Sequence, residues 1–528
     1  MSRPERSELR WVILWAVAIV LLASVPYLYG MRAAPSGFRF LGLTQNIDDG
    51  AVYLSWTRQV ADGHFFTRNL FTNDAQSGRQ INILFLLMGG FARLTGVSCL
   101  AAYHIFRVLL GIGLLYMIYR FAALSLTERR ERLLLIPLVG LSSGIGWLIP
   151  NVRAPIGSVD VWQPEAITFL SIYLNPLFLA GLILMLASFH TLLLAEKTGR
   201  ARYAVGAGVC LLLLGNVHSY DVLTVACVWA AYAVVRAVMD RRLPGRTIAL
   251  SLLAALIAFP AIAYQIYIYR IDEVFRLRAN TPTPSPPIWS FFEGYGFVLL
   301  AAIAGAALWL SANRKSKISN PKSLLIVWAV VGFAVPYIPI AQQRKLIMGL
   351  HIPLCILAVV AISYAAKRLN AFYAVCLCAA VVLLTFQSNA RFLTLDLTLL
   401  SRSRTVTRYT PFMSADQIGA MEFLGRHTRP GDTILCSPQL ALFVPAYADR
   451  QVYYGHWSET PDYEAKLAEW MDLTSESVPI EDKLDILAAS RADYVVFDWP
   501  EAAEPLLAGA RLRKIASYGQ TSIYEVRR

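Results

Sequence analysis

Eleven apolar runs of spanning length constrain this chain more than any other feature. They lie near residues 11–30, 100–123, 133–150, 166–195, 203–217, 222–238, 247–268, 294–312, 323–341, 346–364 and 371–388. A helix of about 20 apolar residues crosses a ~30 Å hydrocarbon core at ~1.5 Å per residue. With 56% hydrophobic and 16% charged residues, the chain cannot be one soluble globule. The first run, Trp11 to Tyr29, exceeds the apolar core of a signal peptide and reads as an uncleaved anchor.

Charge orders these runs across a membrane. Placing the N-terminus in the cytoplasm puts Met1–Arg10, Thr127–Arg132, Glu196–Arg202, Arg236–Arg246, Asn313–Lys322 and Ala366–Asn370 on the inside, each with two to four Lys or Arg. That is the positive-inside pattern, and an odd number of spans then leaves the tail outside. Residues 1–390 hold 33 Lys+Arg against 16 Asp+Glu, whereas residues 391–528 hold 15 against 19. The basic excess is topogenic, and no nucleic-acid partner is expected. Five of seven cysteines lie in apolar runs and no CxxC pair occurs, so neither a disulfide framework nor a cysteine metal site is implied.

The expected architecture is mainly α: a polytopic helical membrane domain over 1–390 with about 11 spans and an outside first loop at 31–99. A soluble α/β domain over 391–528 follows. In the tail, Ser414–Arg426 and Leu484–Ala489 have helical character. Thr433–Cys436, Gln451–Tyr454, Tyr494–Phe497 and Ser522–Val526 read as strands. In the first loop, Ala51–Asp62 and Ile81–Leu94 read as two helices lying along the membrane surface.

The chemistry-bearing residues cluster at the outside ends of the spans. Asp48 and Asp49 stand together just beyond the first span, where a membrane enzyme meets an amphiphilic substrate. Adjacent carboxylates in a desolvated cleft raise one another's pKa and make a better base, although a helix cap accounts for the same residues. Glu165 lies just before the fourth run and is equally suited to stabilising a helix start. His218 and Asp221 interrupt two apolar runs and suit either a polar cavity or a turn. Arg344 and Lys345 sit in a short outside turn against the insertion preference, so a phosphate, or lipid head groups, would account for them. Arg153 and the group Arg270, Arg276 and Arg278 are fainter candidates of that kind. In the tail, Tyr454–Thr460 follows a strand end, where packing around Trp457 and contact with an acceptor both fit. No Walker loop, GxGxxG, HExxH or GxSxG elbow is present.

An inside N-terminus, one span, and then an outside loop with an acidic pair and two helices: this order resembles the GT-C superfamily of membrane glycosyltransferases. That superfamily includes protein O-mannosyltransferases and aminoarabinose transferases. The resemblance implies transfer of a sugar from a polyprenyl-phosphate donor to a lipid, glycan or protein acceptor on the non-cytoplasmic face, with inversion. It implies that Asp48 or Asp49 is the base toward the acceptor; in some members this acid binds a metal, which leaves a divalent metal open as cofactor. By the same reading the protein sits among membrane lipids, in a bacterial inner membrane. A transporter or flippase with an outer domain is the alternative, although no internal repeat supports it.

Overall fold

A computed structural model describes residues 6–149, 157–312, 319–402, 409–499, 506–507 and 511–527. The chain forms two compact units. One comprises Met1–Val25, His104–Ile266 and Pro282–Leu395; the other comprises Pro26–Tyr103, Tyr267–Thr281 and Asp396–Arg528. The first is helical and the second mixes helices with sheet.

All eleven apolar runs fall on helices, but fewer of those helices have spanning length. Seven described helices are long and apolar enough to cross a membrane, or eight if the bent pair Ala371–Thr385 and Gln387–Ser401 is one span. Arg129–Leu141, with Pro137 inside it, and Asn320–Ala334 are shorter than the runs that suggested them, and Ala201–Val217 has 17 residues. Asn320–Ala334 passes into a short 3₁₀ turn, Val335–Tyr337, which includes Pro336. A continuous apolar run therefore overstates the length of a continuous helix.

Within the helical unit, buried polar groups pin the elements. Arg107 is enclosed; it donates to the carbonyls of Ile172 (3.2 Å) and Tyr173 (3.4 Å) and to Ser24 Oγ (2.9 Å). Asp160 accepts from the backbone N–H groups of Gly144 (2.9 Å) and Gly146 (3.2 Å) and from Ser158 Oγ, which fixes the turn ahead of Gln163. Burial pushes the Asp160 carboxyl up, against these hydrogen bonds.

The mixed unit holds a five-stranded sheet. Its strands are β3 (Thr433–Cys436), β4 (Gln451–Val452), β5 (Tyr494–Phe497), β6 (Leu512–Tyr518) and β7 (Thr521–Val526), in the order β4-β3-β5-β7-β6. β4, β3 and β5 run parallel, and β7 pairs antiparallel with β5 and β6. Two further strands, β1 (Phe38–Phe40) and β2 (Phe412–Ser414), join the first loop to the start of the tail. Ser414 then caps the helix Ala415–His427 in a reciprocal box with Gln417.

The edge strand β4 does not stand open. The Val452 N–H donates to the Leu70 carbonyl at 2.9 Å, and Thr72 bridges antiparallel to Tyr454. A first-loop segment thus pairs with the tail's sheet edge, the usual protection for an exposed edge. Side chains secure the seam: Asn69 Nδ2 donates to the Glu459 carbonyl (2.6 Å), Thr460 Oγ1 to the Phe71 carbonyl (2.6 Å), and Lys466 pairs with Asp74 (2.8 Å).

This arrangement corrects one expectation about the loop helices. The helix Ile47–Ala61 does not lie along a surface: Val52, Trp56 and Val60 are all buried, because the helices Ile83–Thr95 and Pro438–Tyr447 cover it. The helix Ile83–Thr95 does keep an outward apolar stripe, with Ile83, Leu87 and Leu94 exposed.

Arg450 supplies a stability test. Its guanidinium is buried and donates to Thr428 Oγ1 and to the carbonyls of Gly425, Thr428, Ala448 and Asp449, at 2.7–3.1 Å. It thereby satisfies carbonyls at the end of the helix Ala415–His427. Arg450→Met strands several of them and is expected to cost about 3 kcal/mol, with Arg450→Lys costing less. Thermal unfolding of the detergent-solubilised full chain checks this; equal midpoints for wild type and Arg450→Met would refute it.

Candidate functional site

The acidic pair lies in the first turn of the helix Ile47–Ala61, with Asn46 as N-cap in the left-handed region (φ 49°) and making no side-chain cap bond. Carboxylates at a helix start interact favourably with its dipole, which is reason enough for acids here. The surroundings of this pair go further. Asn46 Nδ2 donates to Asp49 Oδ2 at 2.8 Å, and the Trp457 indole N–H donates to Asp48 Oδ2 at 3.1 Å. His456 Nε2 stands 3.5 Å from Asp49 Oδ1 and 3.9 Å from Asp48 Oδ2. All of these groups belong to the mixed unit.

The orientation of His456 follows from its own turn. The ring is fully buried, and Nδ1 accepts from the backbone N–H groups of Ser458 (3.1 Å) and Glu459 (3.3 Å). A nitrogen that accepts two N–H bonds carries no proton, so the neutral ring holds its hydrogen on Nε2, facing the carboxylates. Burial pulls the imidazole pKa down; the Asp49 hydrogen bond and the charges of Asp48, Asp49 and Glu459 overcome that and raise it. The Asp48 carboxyl is also raised, first by burial and then by the charge of Asp49, against the opposing effect of His456. Asp48 has 21% of its side chain exposed against 40% for Asp49, which makes it the more desolvated of the two.

Arg278 buttresses this arrangement. It pairs with Glu459 at 2.7 Å and lies over the Trp56 ring at 4.8 Å, tying the tail turn to the acid-bearing helix. Arg276 pairs with Glu273 at 2.8 Å, so these two arginines are already matched by acids. Arg153 lies outside the described residues.

The remaining candidates lie in the helical unit, where they form one chain of contacts. His218 Nδ1 meets Asp221 Oδ2 at 2.8 Å, and the Tyr220 hydroxyl meets His218 Nε2 at 2.8 Å. With Asp221 accepting from Nδ1–H, Nε2 is left to accept the Tyr220 hydroxyl proton. Lys345 Nζ sits 5.4 Å above the Tyr220 ring, and the Arg344 guanidinium sits 5.6 Å above the Trp162 ring. Backbone bonds hold the Arg344 turn: its N–H donates to the Thr283 carbonyl (3.1 Å) and its carbonyl accepts from Gln163 Nε2 (2.8 Å). Arg344 and Lys345 are half-buried and, among the described residues, pair with no carboxylate. Glu165, next to Gln163 in a short turn, is buried and likewise has no ion pair among the described residues.

His456, Trp457, Tyr220 and Trp162 complete these clusters, and no local signal marks the last two. Only the strand-end position of Tyr454–Thr460 pointed to His456 and Trp457.

No family model matches the chain, and no curated protein is similar to it. Solved structures are similar in fold. The apo oligosaccharyltransferase of Archaeoglobus fulgidus superposes with a TM-score of 0.57 at 13% identity, over 91% of this chain and 69% of that one. Apo ArnT from Cupriavidus metallidurans gives 0.54 at 15% identity, over 96% and 97%. The mycobacterial arabinofuranosyltransferase AftD gives 0.53 at 15%, over 100% of this chain and 40% of that one. This chain has the GT-C fold.

On that fold the expected acidic pair is built into a helix start and backed by a buried imidazole from the tail. The raised His456 pKa yields a stability test with a definite sign. A base held above its unfolded value contributes stability that is full below the unfolded pKa of ~6.5 and is lost as pH rises through the folded value. The midpoint gap between wild type and His456→Gln should therefore be widest below about pH 6.5 and narrow above it. A gap independent of pH would mean that His456 only packs.

Proposed function

We propose that this chain is a membrane glycosyltransferase that moves a sugar from a polyprenyl-phosphate donor to an acceptor hydroxyl or amine. The observation that carries the reading is the convergence of Asp48, Asp49, His456 and Trp457 at one helix start. GT-C neighbours of known structure support the donor class. ArnT has been solved bound to undecaprenyl phosphate, and the archaeal oligosaccharyltransferase with dolichol-phosphate and an inhibitory peptide, or tethered to an acceptor peptide.

The chemistry divides among named groups. A carboxylate of the Asp48/Asp49 pair takes the acceptor's proton as its oxygen or nitrogen bonds to the anomeric carbon. The bond from that carbon to the phosphate oxygen breaks, and its electron pair leaves on the polyprenyl phosphate. Its raised pKa makes Asp48 a better proton acceptor than an exposed aspartate. Trp457 holds one Asp48 oxygen in place, and the Nε2–H of His456, facing the pair, favours its ionised form. Arg344 and Lys345, lacking acidic partners, are suited to the phosphate charge, Arg344 by its fork and Lys345 as a point charge.

One structure of the archaeal oligosaccharyltransferase contains zinc and sulfate. In this chain no group of three or more His, Cys, Asp or Glu is arranged to hold a metal ion among the described residues. The nearest approach to one, His456 beside the acidic pair, offers an N–H rather than a lone pair. No step is therefore derived through a metal.

The six basic loops support an inside N-terminus and an outside C-terminal domain over 391–528.

Asp48→Asn and Asp49→Asn are expected to lower transfer by about 10²–10⁴-fold for whichever residue is the base. Near-normal transfer in both single variants and the double variant would reduce the pair to helix-dipole acids. His456→Gln removes the ring N–H that faces the carboxylates and favours their ionised form, so the acid limb of the pH–rate profile should move to higher pH; a shift to lower pH would refute the role given to it. Arg344→Ala should weaken binding of a polyprenyl-phosphate sugar severely and Arg344→Lys less, with abundance unchanged. Equal titration curves for wild type and Arg344→Ala would remove the donor phosphate from this turn.

A further inference from the structure

A cleft of about 410 Å³ opens in the mixed unit at the far end of the acid-bearing helix, lined by Arg39, Arg58, Asp62, Arg93, Ser98 and Tyr447 among others. Its charge is unbalanced. Arg58 pairs with Asp62 at 2.6 Å and also feels the nearby Asp449, so that arginine is neutralised. Arg39 and Arg93 hydrogen-bond to no group and pair with no carboxylate among the described residues. Two guanidiniums therefore face one cleft without an anion. Burial raises the Tyr447 phenol, so it stays neutral, and its hydroxyl donates to the Leu41 carbonyl at 3.5 Å. Ser98 caps the helix Cys99–Ala122 through the Ala101 N–H (3.1 Å), which places that helix's positive end at the cleft wall as well.

The helices that border the cleft indicate what it suits. Cys99 and Leu100, which also line it, begin a helix long and apolar enough to cross a membrane. A cleft at the start of a span lies where a bilayer's phosphates lie. Leu94, beside Arg93, is 88% exposed, and Leu87 and Ile83 extend the same face of the helix Ile83–Thr95. Exposed leucine and isoleucine on the helix that carries Arg93 are poorly suited to water and well suited to an acyl chain under an anionic head.

We infer that this cleft binds a phosphate-bearing lipid, its head group between Arg39 and Arg93 and its chain along the Ile83–Leu87–Leu94 stripe. The guanidinium forks take the phosphate oxygens, and the Ser98 hydroxyl, which lines the same cleft, has a proton to donate. The site is separate from the acidic pair. Asp49 and Arg58 are nine residues apart on one helix, about 14 Å along its axis, so the inference stands whether or not the chain transfers sugar.

The test uses the purified full chain in a zwitterionic detergent and three probes: dihexanoyl phosphatidic acid, dihexanoyl phosphatidylcholine and inorganic phosphate. Saturable binding of the phosphatidic acid, weaker binding of phosphate and none of phosphatidylcholine is expected, read by thermophoresis. Arg39→Gln with Arg93→Gln should weaken phosphatidic acid binding about tenfold. Leu94→Gln should weaken phosphatidic acid but leave inorganic phosphate unchanged. Arg39→Lys with Arg93→Lys, which retains both charges, should keep most of the binding. Wild-type affinity in the glutamine pair, or phosphatidylcholine bound as tightly as phosphatidic acid, would overturn the proposal. So would inorganic phosphate binding as tightly as the lipid, which would make this a free-anion site, or a lysine pair as weak as the glutamine pair.

Discussion

The mixed unit depends on the closing of one sheet edge. β4 has only two residues, and its outer side would expose unpaired backbone groups next to a turn carrying His456. The first loop closes it, through Val452 to Leu70 and Thr72 to Tyr454, and the side-chain bonds of Asn69 and Thr460 lock the register. An unpaired buried backbone group costs about as much as a lost hydrogen bond, so the seam is strongly specified. Everything at the acidic pair depends on it. With residues 69–72 fixed against 452–460, the turn 456–459 has little freedom, and His456 and Trp457 meet a helix more than 400 residues earlier in the chain. The salt bridge of Arg278 to Glu459, braced on Trp56, holds the other side of that turn.

How much of this was legible in sequence depended on how local each signal was. The apolar runs, the adjacent acids and the helical class are local patterns, and the GT-C fold follows from their order. Four tail strands read correctly because β-branched and aromatic residues alternate there between turn residues. β6 was missed because Arg513 and Lys514 break its apolar pattern; it is an edge strand whose charges face outward. Run length exceeds helix length at Asn320–Ala334 because hydropathy does not register the 3₁₀ turn with Pro336 that follows it. The surface reading of the helix Ile47–Ala61 failed for a different reason: its stripe of Val52, Trp56 and Val60 suits a membrane and a protein neighbour equally, and only the fold chooses between them. His456 could not be assigned at all. A lone histidine after a strand says nothing until the backbone N–H groups of Ser458 and Glu459 fix its tautomer and the seam aims it.

The electrostatics of the acidic pair then separate a cap from a site. Two effects at this helix start favour ionised carboxylates: the dipole with its free N–H groups, and the positive character of His456. Acids placed only to cap a helix would feel mainly the first and would sit below their ordinary pKa. Asp48 sits above it, because desolvation under Trp457 and the charge of Asp49 outweigh both stabilising effects. The fold therefore places an ionisable group where ionisation is disfavoured, and pushes the imidazole beside it in the opposite sense, toward the charged form. Asp48 and His456 are each raised by charges of the same cluster. A structural cap gains nothing from that rise. A group that must accept a proton from a weakly acidic hydroxyl and release it afterwards needs an affinity higher than that of an exposed aspartate, and burial beside a second acid supplies it.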